Sequence, residues 1–507
     1  MRESSRRKSK GRGVVSLLAD AGHEVPRQVA EPKAPKDKMN WGHAPARGRM
    51  RPGGGWSPVA MPNQRWRMPS DQAPALWPLI STPGLPPTGA FAGIDQLSGG
   101  FFPFDPFGWV LDDKINVTNP NVYIMAKPGR GKSTLTKSLS LRMMRFGYKT
   151  LCLGDVKDEY EGLCRALGVE PLVLGRGMPA RINPLDLGPL GDGWEDLDPD
   201  EARRRASIIF ARWLSLLRGL VSSQDTGRGK VPYGPSEESI VRGALKELTG
   251  FSSGASRLRV TTLPELWYQM CHPTPEMIKE ARFSDEQSYL DESRLVRDAI
   301  ATLVQDGALS GLFDAHTNVA IDWSAPIQSL SLSRIRSDGD EAVGLALTCL
   351  NSWGRGLREV SQEGDLRIVI RDEVWAQMRL GPGAVKSLDE DLRLSRTQGE
   401  IPITVMHKPS DGLAVGDAGS MEVQIAKDFM HLADVKILMG QDLGVAEEID
   451  RMLGLGPSIT GHLHRWCMQG KGRAIWSVGD QFFKIEPVLH PLEAQLTDTN
   501  QAIRRAG

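Results

Sequence analysis

The sequence predicts an α/β fold: a mostly parallel sheet covered by helices, with an all-α insertion and a disordered basic N-terminal tail. Three observations support this. Strand-like and helix-like segments alternate after residue 118, the pattern is purely helical over 195–308, and residues 1–70 are rich in proline and glycine. Alternating strands and helices are typical of parallel sheets buried on both faces. The 40% hydrophobic content provides a core, which excludes a wholly disordered or fibrous chain.

The N-terminal tail, residues 1–70, carries a charge of about +10, although the 507-residue chain has 62 basic and 62 acidic residues. So polar a segment buries too little apolar surface to offset the entropy of ordering it, so we expect disorder. Clustered cations gain from counterion release on polyanions. The tail is therefore a candidate tether to DNA, acidic lipid or an acidic partner, with a solubilising role as the alternative.

Residues 71–118 are expected to be an extended segment that leads into the folded domain. They include FFPFDPFGWV at 101–110, which is typical of one or two strands. No stretch of the sequence reaches the roughly 18 uncharged apolar residues that a membrane span needs. We therefore expect a cytoplasmic protein, with membrane contact limited to peripheral association at the inner face of the cell membrane.

Short apolar runs followed by polar or glycine residues mark the strands of the α/β domain. The pattern divides the domain into a first part at 119–194, the insertion at 195–308 and a second part at 309–487, followed by a C-terminal tail at 488–507. The predicted strands are 122–126, 150–154, 327–332, 367–371, 403–406 and 435–439.

The sharpest motif is NVYIMAKPGRGKSTLTKSL, residues 121–139, in which a strand-like run, a glycine-rich loop and a helix follow one another. This is the context of a P-loop, whose backbone N–H groups surround phosphate oxygens. Lys132 is predicted to reach the β- and γ-phosphates, and the Ser133 hydroxyl to ligate Mg²⁺. The predicted nucleotide-binding residues are Pro128, Gly129, Arg130, Gly131, Lys132, Ser133 and Thr134.

An acidic pair ends the run LRIVIRDEVW at 366–375. Asp372 is the candidate acid of the Mg²⁺ shell, and Glu373 is the candidate general base for the attacking water. Consecutive side chains leave a strand in opposite directions, which lets two neighbours divide these tasks. The alternative, a strand end with solvated acids, is weakened by the presence of the P-loop.

Two arginines and a histidine follow the acidic pair. Arg393 and Arg396 precede the predicted strand that ends before His407. In oligomeric NTPases an arginine reaches the γ-phosphate of a neighbouring subunit, and a polar residue at a strand end senses hydrolysis. The alternatives are a solvated helix face for the arginines and a structural role for the histidine. The sequence has no Asn-Lys-x-Asp motif, which favours ATP over GTP.

With these residues the sequence resembles the HerA/FtsK superfamily of RecA-like motor ATPases, and within it the TraC-like ATPases of conjugation and type IV secretion. GDVKDEYEGLCRALG at 154–168 is similar to the family's second-strand segment, and ARINPLDLGPL at 180–190 to its turn before a helical insertion. SGLFDAHTNVAIDW at 310–323 is similar to the return to the sheet, and 470–497 to the C-terminal strands. The likeness covers about 100–498.

The resemblance implies a RecA-like P-loop NTPase domain that hydrolyses ATP with Mg²⁺. It also implies a homohexameric ring whose partners are DNA or a secretion substrate and the components of a conjugation or secretion channel. The sequence departs from the family at His407, where these ATPases usually have a glutamine. It also departs in the short basic N-terminal tail, which takes the place of the large N-terminal domain of many secretion ATPases.

Two alternative functions remain. One is a double-stranded DNA translocase of the FtsK/HerA type. The other is a non-catalytic, nucleotide-gated assembly protein. The second has no need of a water-activating acid, so Glu373 and the two arginines argue against it.

Overall fold

The computed structural model describes residues 84–175, 177–224, 229–252, 254–304, 310–319, 322, 324–360, 365–372, 374–378, 380, 382–407 and 430–498. The predicted tail at 1–70 lies outside these ranges. So does Glu373, the predicted general base.

A single mixed sheet organises the described chain, in the order β2-β1-β11-β10-β9-β3-β8-β7-β4-β6-β5. The run from β9 to β5 is parallel, whereas β2, β1, β11 and β10 extend it antiparallel. The strands are β1 (Ala90–Asp95), β2 (Phe101–Phe104), β3 (Val122–Met125), β4 (Lys149–Asp155), β5 (Leu172–Val173), β6 (Ile327–Ser331), β7 (Arg367–Arg371), β8 (Glu400–Met406), β9 (Val435–Met439), β10 (Ala474–Val478) and β11 (Gln481–Pro487).

All six strands predicted from the sequence are present, and the mostly parallel central sheet is confirmed. Every residue of β3, β7 and β8 is buried, as expected for strands covered on both faces. Successive residues of β4 point to opposite faces: Leu151 and Leu153 join one hydrophobic cluster, and Cys152 joins another.

Helices cover both faces of the sheet. They are α1 (Pro106–Leu111), α2 (Lys132–Met143), α3 (Glu161–Ala166), α4 (Pro199–Ser222), α5 (Pro235–Thr249), α6 (Leu263–Cys271), α7 (Pro275–Glu280), α8 (Glu286–Glu292), α9 (Arg294–Val304), α10 (Asp340–Val360), α11 (Val374–Met378), α12 (Pro382–Leu394), α13 (Leu443–Leu453), α14 (Pro457–His464), α15 (Trp466–Gln469) and α16 (Pro491–Leu496).

The segment FFPFDPFGWV differs from the prediction of strands alone. Phe101–Phe104 is a strand, but Pro106–Leu111 is the helix α1. The side chain of Asp105 accepts a hydrogen bond from the N–H of Gly108, and proline occupies the first helical position. A side-chain cap followed by proline is a helix start signal, which explains the change of conformation within the segment.

The helices α4 to α9 occupy residues 199–304 and pack against the sheet. Trp213 and Leu217 of α4 are fully buried, in the same hydrophobic cluster as Leu153 of β4 and Leu330 of β6. The helical region and the sheet therefore share one core. The boundaries of the insertion at 195–308 stay a prediction.

None of the helices in the described part of the chain combines the length and the apolar run that crossing a membrane requires.

Candidate nucleotide-binding site

The P-loop starts where three parallel strands end side by side. β3 lies between β8 and β9, and the backbone beyond it continues their pairing. The N–H of Ala126 donates to the carbonyl of Met406 at 3.2 Å, and that of Lys127 to the carbonyl of Gly440 at 3.2 Å. In α/β sheets ligands bind beyond the carboxyl ends of the strands, so the loop lies at the expected edge.

Two glycines give the loop its shape. Gly129 has φ = +77° and Gly131 has φ = +92°, which are left-handed conformations that favour glycine. Gly131 directly precedes α2, and its carbonyl accepts the N–H of Leu135 at 2.9 Å. The first N–H groups of a helix have no partner within the helix, so the start of α2 can bind an anion.

The loop and the start of α2 form one side of a cavity of about 260 Å³. The residues that line it are Pro128, Gly129, Gly131, Lys132, Ser133, Thr134, Lys157, Glu159, His407 and Lys471. Six of the seven predicted nucleotide-binding residues are among them. The structure directs the seventh, Arg130, elsewhere: its guanidinium Nη1 donates to the carbonyl of Met468 at 2.8 Å.

Lys132 and Asp372 meet in the interior of the site. Their Nζ and Oδ1 atoms are 3.8 Å apart, and each side chain is only 8% exposed. Lys132 opens α2 and Asp372 follows β7, so the sheet order brings together two residues that the sequence assigned to different tasks. Ser133 lines the cavity beside Lys132. The lysine predicted to bind phosphate thus lies beside the acid predicted to bind the metal.

The oxygen atoms around the cavity suit Mg²⁺. The Ser133 hydroxyl and the Asp372 carboxylate are ligands that this cation prefers. In addition, Oε2 of Glu159 is buried and accepts no hydrogen bond from the described residues. These residues contain no group of three or more His, Cys, Asp or Glu side chains that could hold a metal. Mg²⁺ in protein sites usually keeps water ligands and shares its coordination with phosphate oxygens.

The loop after β4 supplies two further lining residues, Lys157 and Glu159. Asp155, which ends β4, accepts the N–H groups of Lys157 at 3.3 Å, Glu159 at 3.0 Å and Tyr160 at 2.8 Å. Burial raises the pKa of Asp155 to about 6, although these three hydrogen bonds act to lower it. The Asp155 carboxylate thus holds the loop in its conformation through three backbone hydrogen bonds.

Helix α2 also makes hydrogen bonds to this loop. The buried ammonium of Lys137 donates to the carbonyl of Glu159 at 3.0 Å, and burial lowers the pKa of Lys137. The hydroxyls of Thr136 and Tyr160 lie 3.0 Å apart. The loop after β4 and the P-loop helix therefore form one hydrogen-bonded unit.

Two cavity residues on the far side of the P-loop complete the lining. His407 follows β8, and its carbonyl accepts a hydrogen bond from Nε2 of Gln441 at 3.1 Å. Lys471 lies on the turn before β10, where the N–H of Gly472 donates to the carbonyl of Arg130 at 2.8 Å. The turn thus packs directly on the P-loop.

Sequence reasoning did not assign Lys157, Glu159 or Lys471 to the site. For the first two a signal was available. Both follow a predicted parallel strand, and the carboxyl ends of parallel strands meet at one edge of the sheet. Lys471 precedes an antiparallel strand, so its position depends on how the C-terminal strands pair.

The two predicted arginines lie far from this cavity within their own chain. Arg393 is exposed and its Nε bonds Asp389 at 2.8 Å, whereas Nη1 of the exposed Arg396 donates to the carbonyl of Thr118 at 3.3 Å. Both precede β8, and a strand of that length spans about 20 Å. They therefore lie at the amino edge of the sheet, opposite the P-loop, and their catalytic role stays a prediction.

No protein-family model matches the sequence, and neither does any of the curated proteins compared with it. Two solved structures are similar in fold. VirB4 of Thermoanaerobacter pseudethanolicus superposes with a TM-score of 0.62 at 20% identity, covering 82% of this chain and 100% of that chain. The bacterial conjugative coupling protein TrwB superposes with a TM-score of 0.51 at 11% identity, covering 79% and 89%. The chain therefore has the fold of VirB4 and TrwB, and the predicted P-loop α/β architecture is confirmed.

Proposed function

We propose that this protein is a Mg²⁺-dependent, ATP-hydrolysing motor that acts as a homohexamer and powers conjugative DNA transfer or type IV secretion. The observation that carries the proposal is the buried pair formed by Lys132, which lines the cavity beside the P-loop, and Asp372. A protein that only needs an anion site has no use for a buried acid beside it. Phosphoryl transfer uses both charges.

Each residue has a defined task in this proposal. Lys132 binds the β- and γ-phosphates, and backbone N–H groups at the start of α2 surround their oxygens. Ser133 and Asp372 would hold Mg²⁺, which neutralises charge on the phosphates when bound. Glu373 takes a proton from the water that attacks the γ-phosphorus, giving ADP and phosphate. His407 contacts the cavity from the end of β8 and is the candidate sensor.

The fold and the charge distribution support the proposed cargo. TrwB is a conjugative coupling protein, and its fold likeness to this chain supports DNA or a secretion substrate as cargo, with channel components as partners. The basic residues 1–70 supply the electrostatic attraction to DNA or to the inner face of the membrane. Retention of the full chain on DNA and on acidic vesicles, compared with a chain lacking 1–70 at low and high salt, tests this part.

Phosphate release by the wild type, Lys132→Ala and Glu373→Gln tests the enzyme. We expect both variants to lose about 100-fold or more in turnover, because each removes a group that acts on the reacting phosphate or water. Only Lys132→Ala should also lose ATP binding. A wild type no faster than its variants would refute the motor. Stimulation by double-stranded but not single-stranded DNA would favour the translocase alternative.

A further inference from the structure

The loop between β4 and α3 is more tightly built than a surface connection needs to be. Besides the bonds to Asp155 and Lys137, the hydroxyl of Ser331 donates to the side chain of Asp158. Asp158 has φ = +54°, a left-handed conformation that aspartate adopts only occasionally. Such a conformation persists where the surroundings over-determine it, and here it directs the next residue, Glu159, to the cavity.

The backbone of Glu159 makes two hydrogen bonds that hold the loop, and burial lowers the pKa of Lys137 while the charge of the Glu159 carboxylate acts to raise it. The N–H donates to Asp155 at 3.0 Å and the carbonyl accepts from Lys137 at 3.0 Å. Glu159 lines the cavity, and the buried Oε2 of its carboxylate accepts no hydrogen bond from the described chain. A buried polar atom without a partner is unfavourable, so this oxygen indicates a hydrogen-bond donor that arrives with a ligand.

The position of Glu159 identifies that donor. Ser133 and Lys137 are four residues apart on α2 and therefore share one face of the helix. Lys137 contacts the carbonyl of Glu159, and Ser133 lines the cavity together with the Glu159 side chain. Glu159 thus lies on the side of the cavity that Ser133 lines, where the hydroxyl would hold Mg²⁺. This cation keeps several of its water ligands in protein sites, and those waters are donors.

We propose that Glu159 accepts a hydrogen bond from a water molecule bound to Mg²⁺ and so is a positioning residue for the hydrated cation. The inference rests on the proposed function, because it places an ATP-bound Mg²⁺ at Ser133 and Asp372. Hydrogen-bond partners in the second shell of a metal typically change its affinity 10- to 100-fold.

ADP binding to the purified full-length protein, measured by calorimetry in Mg²⁺ and again in EDTA, tests the proposal. In Mg²⁺ we expect Glu159→Ala to bind ADP about tenfold more weakly than the wild type. Glu159→Gln should lose less, because a neutral acceptor still makes a weaker bond. In EDTA both variants should bind ADP as tightly as the wild type or more tightly, since an anion beside the phosphates has been removed.

Glu161→Gln is the matched control. Its carboxylate bonds Arg165 at 2.9 Å and does not line the cavity, so binding should be unchanged in both conditions. Equal losses in Mg²⁺ and EDTA, or no loss in Mg²⁺, would overturn the role of Glu159 and leave the proposed function standing. A wild type that binds no ADP, or binds it without regard to Mg²⁺, would overturn both.

Discussion

Asp155 shows how one buried side chain can organise a loop. Its carboxylate is 2% exposed and satisfies three backbone N–H groups that no strand or helix pairs. Interior N–H groups left without an acceptor would be unfavourable, and this favours an acceptor side chain at position 155. The loop conformation that presents Lys157 and Glu159 depends on this residue.

Asp155→Asn should lower the free energy of unfolding by about 1–3 kcal/mol, because an amide NH₂ replaces one acceptor oxygen and faces an N–H donor. The loss should be larger at pH 5 than at pH 7.5. The folded pKa of about 6 lies above the ordinary 3.8, so the folded state binds the proton more strongly than the unfolded chain. The contribution of Asp155 is therefore largest at low pH and falls as the pH rises through 6.

Urea unfolding of the wild type and the variant at the two pH values measures this difference. Asp113→Asn serves as control, since it removes an exposed carboxylate. A difference in unfolding free energy between the wild type and Asp155→Asn that is larger at pH 7.5 than at pH 5 would contradict the raised pKa of Asp155.

At the scale of elements, the guanidinium of Arg142 joins α2 to the last described helix, α16. It bonds Glu493 twice, with Nε to Oε1 at 2.7 Å and Nη2 to Oε2 at 2.6 Å. It also donates to the carbonyls of Phe91 and Val488. The planar fork of arginine matches a carboxylate in two parallel bonds, which lysine cannot do. One side chain thus ties the P-loop helix to β1 and to the C-terminal helix.

Arg142→Lys should lower the free energy of unfolding by about 2 kcal/mol, because one ammonium cannot replace the guanidinium bonds. Burial tends to raise the pKa of Glu493, but hydrogen bonds from Arg142 and the backbone of His490 lower it overall. The stabilisation is therefore present at neutral pH and lost as the pH falls through the folded pKa. Thermal unfolding at pH 7 and below pH 4 measures both effects. The exposed Arg145→Lys is the control, and an equal loss there would disprove the role of Arg142.

A feature of the fold or the site could be predicted from the sequence where neighbouring residues determine it. Features that depend on contacts between distant segments could not. The P-loop and the strands before Asp155 and Asp372 are specified locally, by a motif and by apolar runs, so they were predicted. The helix α1 was missed because the apolar residues of 101–110 were interpreted as strand and the capping residue Asp105 was not considered. Lys471 was missed because its place in the site depends on which C-terminal strands become neighbours, whereas the position of Glu159 after a predicted parallel strand was a signal that was not used.

For the whole molecule, the positions of Arg393 and Arg396 at the sheet edge opposite the cavity have a direct consequence. Neither can act on nucleotide bound to its own chain, because about 20 Å of sheet separates them from it. An arginine that assists hydrolysis from there must act on the site of a neighbouring subunit. The proposed arginine function therefore requires the proposed ring.

Arg393→Ala or Arg396→Ala should leave ATP binding unchanged and reduce turnover by about 1000-fold or more, as for arginines supplied by a neighbour. Mixing such subunits with inactive Glu373→Gln subunits should restore part of the turnover, since some interfaces then combine an intact acid with an intact arginine. Phosphate release as a function of the mixing ratio is the measurement, and native mass spectrometry gives the subunit number. Mixtures that remain as inactive as their components would exclude action between subunits.

The strand order also determines when the site can form during synthesis. β3 at Val122–Met125 is flanked by β8 at Glu400–Met406 and β9 at Val435–Met439, both made much later. At 5 to 20 residues per second the interval is on the order of half a minute. During that time the nascent chain carries an apolar strand without neighbours, which is a hazard for aggregation. Nucleotide cannot help the N-terminal half to fold, because the pocket that would bind it is completed by the last third of the chain.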